Sequence, residues 1–309
     1  MSDLRFQLFG KFTAELDGSP LKGLDASKEQ ELLSYLLVAR GRRHSRESLA
    51  SLLWGEVPTS KSKKYLRQAL WHVKTALESN GSPQEPVLIV SRDWVQLNSQ
   101  FEWWVDVDPF EQAVAAANGV RGESLDESKA KMLKEAVRLY RGDLLEGWYH
   151  DWCLFERERF QNMYLSVLDK LVNYSEVHSE YEAGLDFGTT ILRYDPASER
   201  THRQLMHLRY RSGDRTGALR QYERCVKVLD EELGVKPERS TTALYQQIRD
   251  SRLGDLDLPL SPSQSALSSV SAPEVLGLLK QLQSVLTTAQ KCIQQDIQTI
   301  EQSLDTLKR

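Results

Sequence analysis

Cysteine is scarce in this chain, with three residues in 309: Cys153, Cys225 and Cys292. No two of them have the CxxC spacing of a structural zinc site, and an odd, scattered set does not suggest a disulfide framework. Reduced thiols are typical of proteins that work in a cytoplasm. The sequence therefore predicts no disulfide bonds and no bound metal.

Long apolar runs are also missing. No stretch approaches the ~18 apolar residues that a membrane-spanning helix needs, and the N-terminal MSDLRFQLFGKF has no apolar core of a secretion signal. We expect a cytoplasmic, nucleoid-associated protein that is neither exported nor inserted in a membrane.

Constellations that would support catalysis are equally absent. His202 and His207 are five residues apart and share no helix face, and His150 beside Asp151 has no partner nucleophile. Cys153 has no cationic neighbour on its own turn, so we expect an inert thiol. The sequence predicts no enzyme activity and no cofactor.

Positive charge is concentrated in one part of an acidic protein. The net charge is −4, yet residues 1–100 carry 14 basic and 11 acidic side chains, whereas residues 101–252 carry 22 and 27. Nine basic residues lie between Arg40 and Lys74, against Glu47 and Glu56 alone. A local basic footprint of this kind is typical of a nucleic-acid-binding surface.

The stretch SKSKKYLRQALWHVKTALES, residues 60–79, predicts a helix with two different faces. At about 100° per residue, one arc collects the apolar side chains of a buried stripe: Leu66, Ala69, Leu70, Val73, Ala76 and Leu77. The opposite arc has no acid before Glu78, whereas an ordinary solvated face mixes acids with bases. It carries Lys64, Arg67, Gln68, Trp71, Lys74 and Thr75, with His72 at its edge.

Such a face suits phosphates and base edges. Lys64, Arg67 and Gln68 are the candidates for base or groove contacts. The candidates for phosphate contacts are Lys61, Lys63, Lys74 and Arg92, and, near the start of the preceding helix, Arg42, Arg43 and Arg46. Two alternatives remain: the basic side chains form a solvated face or turn, and Trp71 packs against a neighbouring helix.

The order of elements in residues 1–103 predicts an α+β winged helix-turn-helix domain. In residues 4–16, apolar residues alternate with polar ones on both sides of Gly10, which predicts strands, and Asp17-Gly18 predicts a turn. Ser27-Lys-Glu-Gln30 is a capping-box pattern for a first helix, and Ser45 caps a second. After the basic third helix, VLIV and WVQLN form a hairpin with Arg92 at its tip. The third helix would enter the major groove and the hairpin would be the wing.

Residues 106–252 are predicted to be an all-α, tetratricopeptide-like repeat domain. Asp108 is placed as the cap of its first helix. Residues 179–192 and 212–226 match at an offset of 34, with Gly184 over Ala218. The aromatic block Trp148, Tyr149, Trp152, Phe155 and Phe160 is interpreted as core, with a ligand pocket as the alternative.

Two further segments complete the chain. The Ser- and Pro-rich residues 253–274 predict a flexible linker. In residues 275–309, apolar residues from Val275 to Leu307 recur at steps of three and four, which predicts a coiled-coil helix for homo-oligomerisation. Docking of this helix back onto the repeat domain is the alternative.

Three stretches resemble a known family: WVDVDPFEQAV, LYRGDLLEGWYHDWCLFERERF, and ILRYDPASERTHRQLMHLRYRSGDRTGALRQYERCVKVLDEELGVKP. They are similar to the bacterial transcriptional activator domain, a tetratricopeptide-like module behind an OmpR-like winged helix in Streptomyces antibiotic regulatory proteins. The resemblance covers residues 1–252. It implies activation of transcription, binding to direct repeats near the −35 region of promoters, and contacts with RNA polymerase. The ATPase of larger members is not expected, since no GxxxxGK[ST] pattern occurs, and the coiled-coil segment is outside the family pattern.

The sequence thus predicts a mainly α protein that regulates transcription through double-stranded DNA. The alternative is a helical-repeat interaction scaffold, or an effector-binding sensor, in which DNA contact is secondary.

Overall fold

The computed structural model shows a mainly helical protein with a small sheet region near its N-terminus. It describes residues 4–24, 26–78, 86–101 and 103–250. Residues 1–252 belong to one compact unit. The linker predicted at 253–274 and the coiled-coil helix predicted at 275–309 lie outside the described residues. Within the described residues, no helix is both long and apolar enough to span a membrane.

Short strands form two sheets with the orders β3-β2-β1-β7 and β4-β6-β5. Their bounds are β1 Leu4–Gln7, β2 Thr13–Leu16, β3 Ser19–Pro20, β4 His44–Ser45, β5 Leu88–Val90, β6 Trp94–Leu97 and β7 Trp103–Val105. The antiparallel pair β1–β2 was predicted, because Leu4 and Phe6 alternate with polar residues and are buried. The parallel pairing of β1 with β7, which sets Leu4 opposite Trp103, was not predicted.

Helices account for most of the remaining described residues. Their bounds are α1 Ser27–Val38, α2 Arg46–Trp54, α3 Thr59–Glu78, α4 Val107–Ala116, α5 Glu127–Leu139, α6 Asp151–Val177, α7 Tyr181–Tyr194, α8 Glu199–Arg211, α9 Arg215–Leu233 and α10 Arg239–Arg249. From α6 to α10, each helix packs against the next. The approach of α7 to α8 is close: a Cβ added at Gly188 would lie 2.6 Å from Leu205 Cδ2.

Two predicted helix starts need correction. The capping box at Ser27 does not form, because α1 already begins at Ser27 and its N-cap, Ala26, makes no side-chain cap bond. α4 begins two residues earlier than predicted, with Asp106 rather than Asp108 at the N-cap position. Asp108 instead accepts a hydrogen bond from Arg40 Nη2 at 2.7 Å. The predicted cap of α2 is confirmed, since Ser45 Oγ accepts from the backbone N–H of Ser48 at 3.5 Å.

The aromatic block before and within α6 is only partly core. Trp152 and Phe160 are buried and Trp148 is half-buried, as expected. Tyr149 and Phe155 are 77% and 68% exposed, so their assignment to the core was wrong. Tyr149 precedes the helix, and Phe155 is nearly opposite the buried residues of α6 on a helical wheel.

An aromatic cluster joins the N-terminal sheet to the helices that follow it. Phe9, just after β1, contacts Phe110 of α4 and Phe160 of α6 edge-on, with centroid distances of 5.1 and 5.4 Å. Tyr140, after α5, lies 4.7 Å from Phe9 and stacks on Tyr164 at 4.0 Å. The sheet and the helices therefore share one core.

Asp106 reinforces this junction with a buried carboxylate. The backbone N–H of Leu8 donates to both carboxylate oxygens at 2.9 Å, and that of Phe9 donates to Oδ2 at 2.9 Å. Burial raises the pKa of Asp106 from 3.8 to about 6, although these N–H donors favour the ionised form and oppose the rise.

We expect Asp106 to make stability depend on pH in the direction opposite to an ion-paired carboxylate. Its folded pKa, about 6, is above its ordinary value of 3.8, so the folded state binds more protons than the unfolded state between these values. Stability should therefore fall as pH rises through this window, by up to ~3 kcal/mol for a pKa difference of about two. Urea unfolding of the wild type and of Asp106→Asn across this range measures the effect as the difference between the two proteins. A difference that does not change with pH would contradict it.

Candidate nucleic-acid interface

The helix α3 is held to its neighbours by the side predicted to be buried. Across its 20 residues the buried positions are Ser62, Leu66, Ala69, Leu70, Val73, Ala76 and Leu77. They pack against α1 and α2. The interpretation from periodicity is confirmed in every apolar residue of the stripe, and α3 is free to present its other side.

The opposite side of α3, which we call its outer face, is exposed. It consists of Lys61, Lys63, Lys64, Arg67, Gln68, Trp71, Lys74 and Thr75. Trp71 is 64% exposed and contacts the ring of His72 edge-on at 5.1 Å. The alternative that Trp71 is buried against a neighbouring helix is therefore wrong.

His72 is placed differently from the other candidates. It is half-buried, and its Nδ1 is hydrogen-bonded to the Glu29 carboxylate of α1. This contact ties the edge of the outer face to α1. Within the described residues, His72 thus has a partner in the protein, whereas Lys64 and Arg67 are in no ion pair.

Arg92 is exposed in the hairpin turn of residues 91–93, between β5 and β6. Arg46, the first residue of α2, fixes this turn. Its backbone N–H donates to Asp93 O at 2.9 Å, and its Nη1 donates to Ser91 O at 3.1 Å. Arg43 lies over the ring of Trp94, at 4.5 Å from the centroid. The start of α2 and the hairpin therefore form one connected surface.

A cleft of about 450 Å³ lies where α2, α3 and the hairpin turn meet. Its lining residues are Ser45, Arg46, Glu47, Lys63, Leu66, Arg67, Arg92 and Asp93. The structure thus brings four predicted residues to one place: Arg46, Lys63, Arg67 and Arg92. Lys74 and Thr75 are two turns further along α3, about 10 Å from Arg67 along the axis, and do not line the cleft.

Sequence reasoning missed the two carboxylates of the cleft. Glu47 Oε1 accepts from Lys63 Nζ at 3.0 Å, and the side chains remain 70% and 51% exposed, respectively. Asp93 is in the hairpin turn. The only sequence signal was that Glu47 is one of two acids between Arg40 and Lys74.

His44, in β4 next to this surface, is buried. His44 Nε2 is hydrogen-bonded to Ala39 O at 3.0 Å, and its ring meets Tyr35 edge-on at 5.3 Å. Burial lowers the pKa of His44 below its ordinary value, because desolvation disfavours the charged form. Among the residues that the structure describes, no group of three or more His, Cys, Asp or Glu side chains is arranged to hold a metal ion.

Comparisons with known proteins find a matching family model and similar regulatory proteins. The family model described as "Bacterial transcriptional activator domain" matches residues 105–249. The regulatory protein AfsR of Streptomyces coelicolor is 26% identical over 287 residues, 93% of this chain and 27% of AfsR. The transcriptional regulatory protein MoaR1 of Mycobacterium tuberculosis is 23% identical over 79% of each chain. The chain spans about a quarter of the length of AfsR.

A solved structure has a similar fold. The M. tuberculosis protein EmbR, in complex with a low-affinity phosphopeptide, superimposes with a TM-score of 0.65 at 21% identity, over 81% of this chain and 66% of EmbR. At this identity the likeness concerns the fold alone. Residues 105–249 thus match the bacterial transcriptional activator domain, and over 93% of its length the chain is similar to the regulatory protein AfsR.

Proposed function

We propose that the protein is a sequence-specific, double-stranded-DNA-binding regulator of transcription, and that it activates promoters. The observation that carries this proposal is the outer face of α3, which is exposed, basic and free of acids before Glu78. The relatives named above are regulatory proteins, which supports the same function.

In this proposal residues 1–103 form an OmpR-like winged helix-turn-helix domain. α2 and α3 are the helix-turn-helix pair, α3 lies in the major groove, and the β5–β6 hairpin is the wing. Lys64, Arg67 and Gln68 contact base edges, whereas Lys61, Lys63, Lys74 and Arg92 contact phosphates. Arg43, Trp71, His72 and Thr75 complete the DNA-contacting set. Because its proposed partner is DNA, we propose that the protein acts in the cytoplasm, at the nucleoid.

Residues 106–252 form the activator module of the proposed regulator, with a tetratricopeptide-like arrangement. The close packing of Gly188 on Leu205 and of Gly184 on Leu208 supports a repeat of paired helices. The partner proposed for this module is RNA polymerase. A second candidate function, a scaffold or sensor, is favoured by one observation: Tyr149 and Phe155 are exposed apolar surface in this module.

The tail, residues 275–309, is proposed to join copies of the protein. We expect its removal to lower the apparent affinity for a DNA fragment with two sites far more than for one with a single site. A joined second copy binds at an effective concentration set by the linker, and avidity gains of 10²–10⁴ are typical. Gel-shift titration of the full chain and of the chain ending at residue 274, on both fragments, measures this. Equal losses on the two fragments would exclude the proposed role.

The function itself is tested by selecting DNA from a random pool with the purified full chain. We expect enrichment of one sequence motif, repeated at a fixed spacing, and increased expression of a reporter whose promoter carries that motif. A variant without residues 106–252 that still binds DNA but no longer increases reporter expression would support the proposed division, in which residues 1–103 bind DNA and residues 106–252 activate transcription. Failure to enrich any motif would reject sequence-specific recognition.

A further inference from the structure

The cleft between α2, α3 and the hairpin turn combines cations with acids. Arg46, Lys63, Arg67 and Arg92 line it together with Glu47 and Asp93. A carboxylate on a phosphate-binding surface opposes binding, because like charges repel.

Glu47 lies in the first turn of α2, where an acid favours the helix dipole, but its ion pair with Lys63 adds little to stability. The Glu47 side chain is 70% exposed, and that of its partner Lys63 is 51% exposed. Exposed ion pairs contribute little to folding, because water and salt screen them. What the pair does change is the charge offered to DNA: Glu47, 3.0 Å from Lys63 Nζ, lowers the net positive charge that an approaching phosphate meets at this point.

The neighbouring cations are not restrained in this way. In the described residues, Lys64 and Arg67 are in no ion pair, although both are on the same outer face as Lys63. Lys74 has Glu78 at 3.9 Å, one turn away at the far end of α3. Lys63 is therefore the cation of the cleft whose availability depends on an acid from another helix.

We propose that Glu47 is a specificity-determining residue: its ion pair keeps Lys63 from contacting phosphates when the protein binds DNA of unrelated sequence. This inference rests on the proposed function. Nonspecific complexes are held through phosphates across a hydrated surface, where Lys63 keeps its pair with Glu47. At a cognate site α3 seats in the groove, water leaves the cleft, and Lys63 exchanges the weak, exposed pair for a phosphate.

The test is the salt dependence of binding for full-length Glu47→Gln, on a scrambled duplex and on the duplex recovered by selection. On the scrambled duplex the variant gains the Lys63 contact, so the slope of log K against log salt steepens by about 0.9. The same slope predicts a roughly fivefold gain in affinity near physiological salt. On the selected duplex Lys63 already contacts DNA, so we expect no change of slope and a much smaller gain. The specificity ratio then falls several-fold.

Two variants separate this mechanism from a general effect of charge. Glu56→Gln removes an exposed acid that does not line the cleft and is expected to leave the slope unchanged. In a Lys63→Ala background, Glu47→Gln is expected to change neither slope nor affinity, because the cation it releases is gone. Equal steepening on both duplexes, or an effect that persists without Lys63, would overturn the inference. If the wild type binds neither duplex, the proposed function fails instead.

Discussion

Replacing Lys64 and Arg67 together with alanine will weaken binding to a selected DNA site by about two to four orders of magnitude, since a good base contact contributes ~1–3 kcal/mol. Both side chains are exposed on the outer face of α3, and in the described residues neither is in an ion pair. The buried stripe of α3 is untouched, so the fold should be retained. Fluorescence anisotropy with a labelled duplex, and circular dichroism for folding, measure the two effects.

The matched control removes two positive charges elsewhere. Lys131 of α5 and Arg220 of α9 are exposed on helices of the activator module. Because their replacement by alanine changes the net charge equally, this variant measures how much a change of net charge alone weakens binding. We expect the control to bind within a few-fold of the wild type. Equal binding by the Lys64/Arg67 variant and the wild type would refute the assignment of the outer face.

The outer face could be predicted from the sequence because side chains three and four residues apart in a helix lie on the same side. Buried positions in α3 recur three and four residues apart, so Leu66, Ala69 and Leu70 identify the buried side without knowledge of the partner helices. The same reasoning would have identified Phe155 as exposed, because it is on the far side of α6 from Phe160. It was instead interpreted by composition, as an aromatic residue in an aromatic block, and that interpretation was wrong.

Contacts between distant segments could not be predicted in this way. The carboxylate of Asp106 binds backbone N–H groups 97 and 98 residues away, and β7 pairs with β1 across a similar separation. No local pattern specifies these partners. The pair of Glu47 with Lys63 joins two helices for the same reason, and local periodicity describes each helix separately.

The second large effect is expected at Phe110, far from the outer face of α3 in sequence. Phe110 is fully buried and contacts Phe9, just after β1, Tyr140, just after α5, and Phe160 of α6. Truncating a buried aromatic to alanine costs ~3–5 kcal/mol, because apolar burial is lost and a cavity remains. We expect Phe110→Ala to lower the free energy of unfolding by this amount. Phe155→Ala is the matched control: its side chain is 68% exposed, and the expected change is within ~0.5 kcal/mol.

Phe110→Ala also tests whether the DNA-binding surface of α3 and the helices that follow it unfold in a single transition. Residues 1–252 are one compact unit with a shared aromatic core, so loss of helix content and loss of DNA binding should occur at the same urea concentration. Circular dichroism and duplex anisotropy, recorded on the same samples, provide the two probes. Two separate transitions would mean that the cluster around Phe9 contributes little to cooperativity. A single, lowered transition would mean that the surface offered by α3 depends on a core that includes α4 and α6, although neither helix contributes to the α3 outer face.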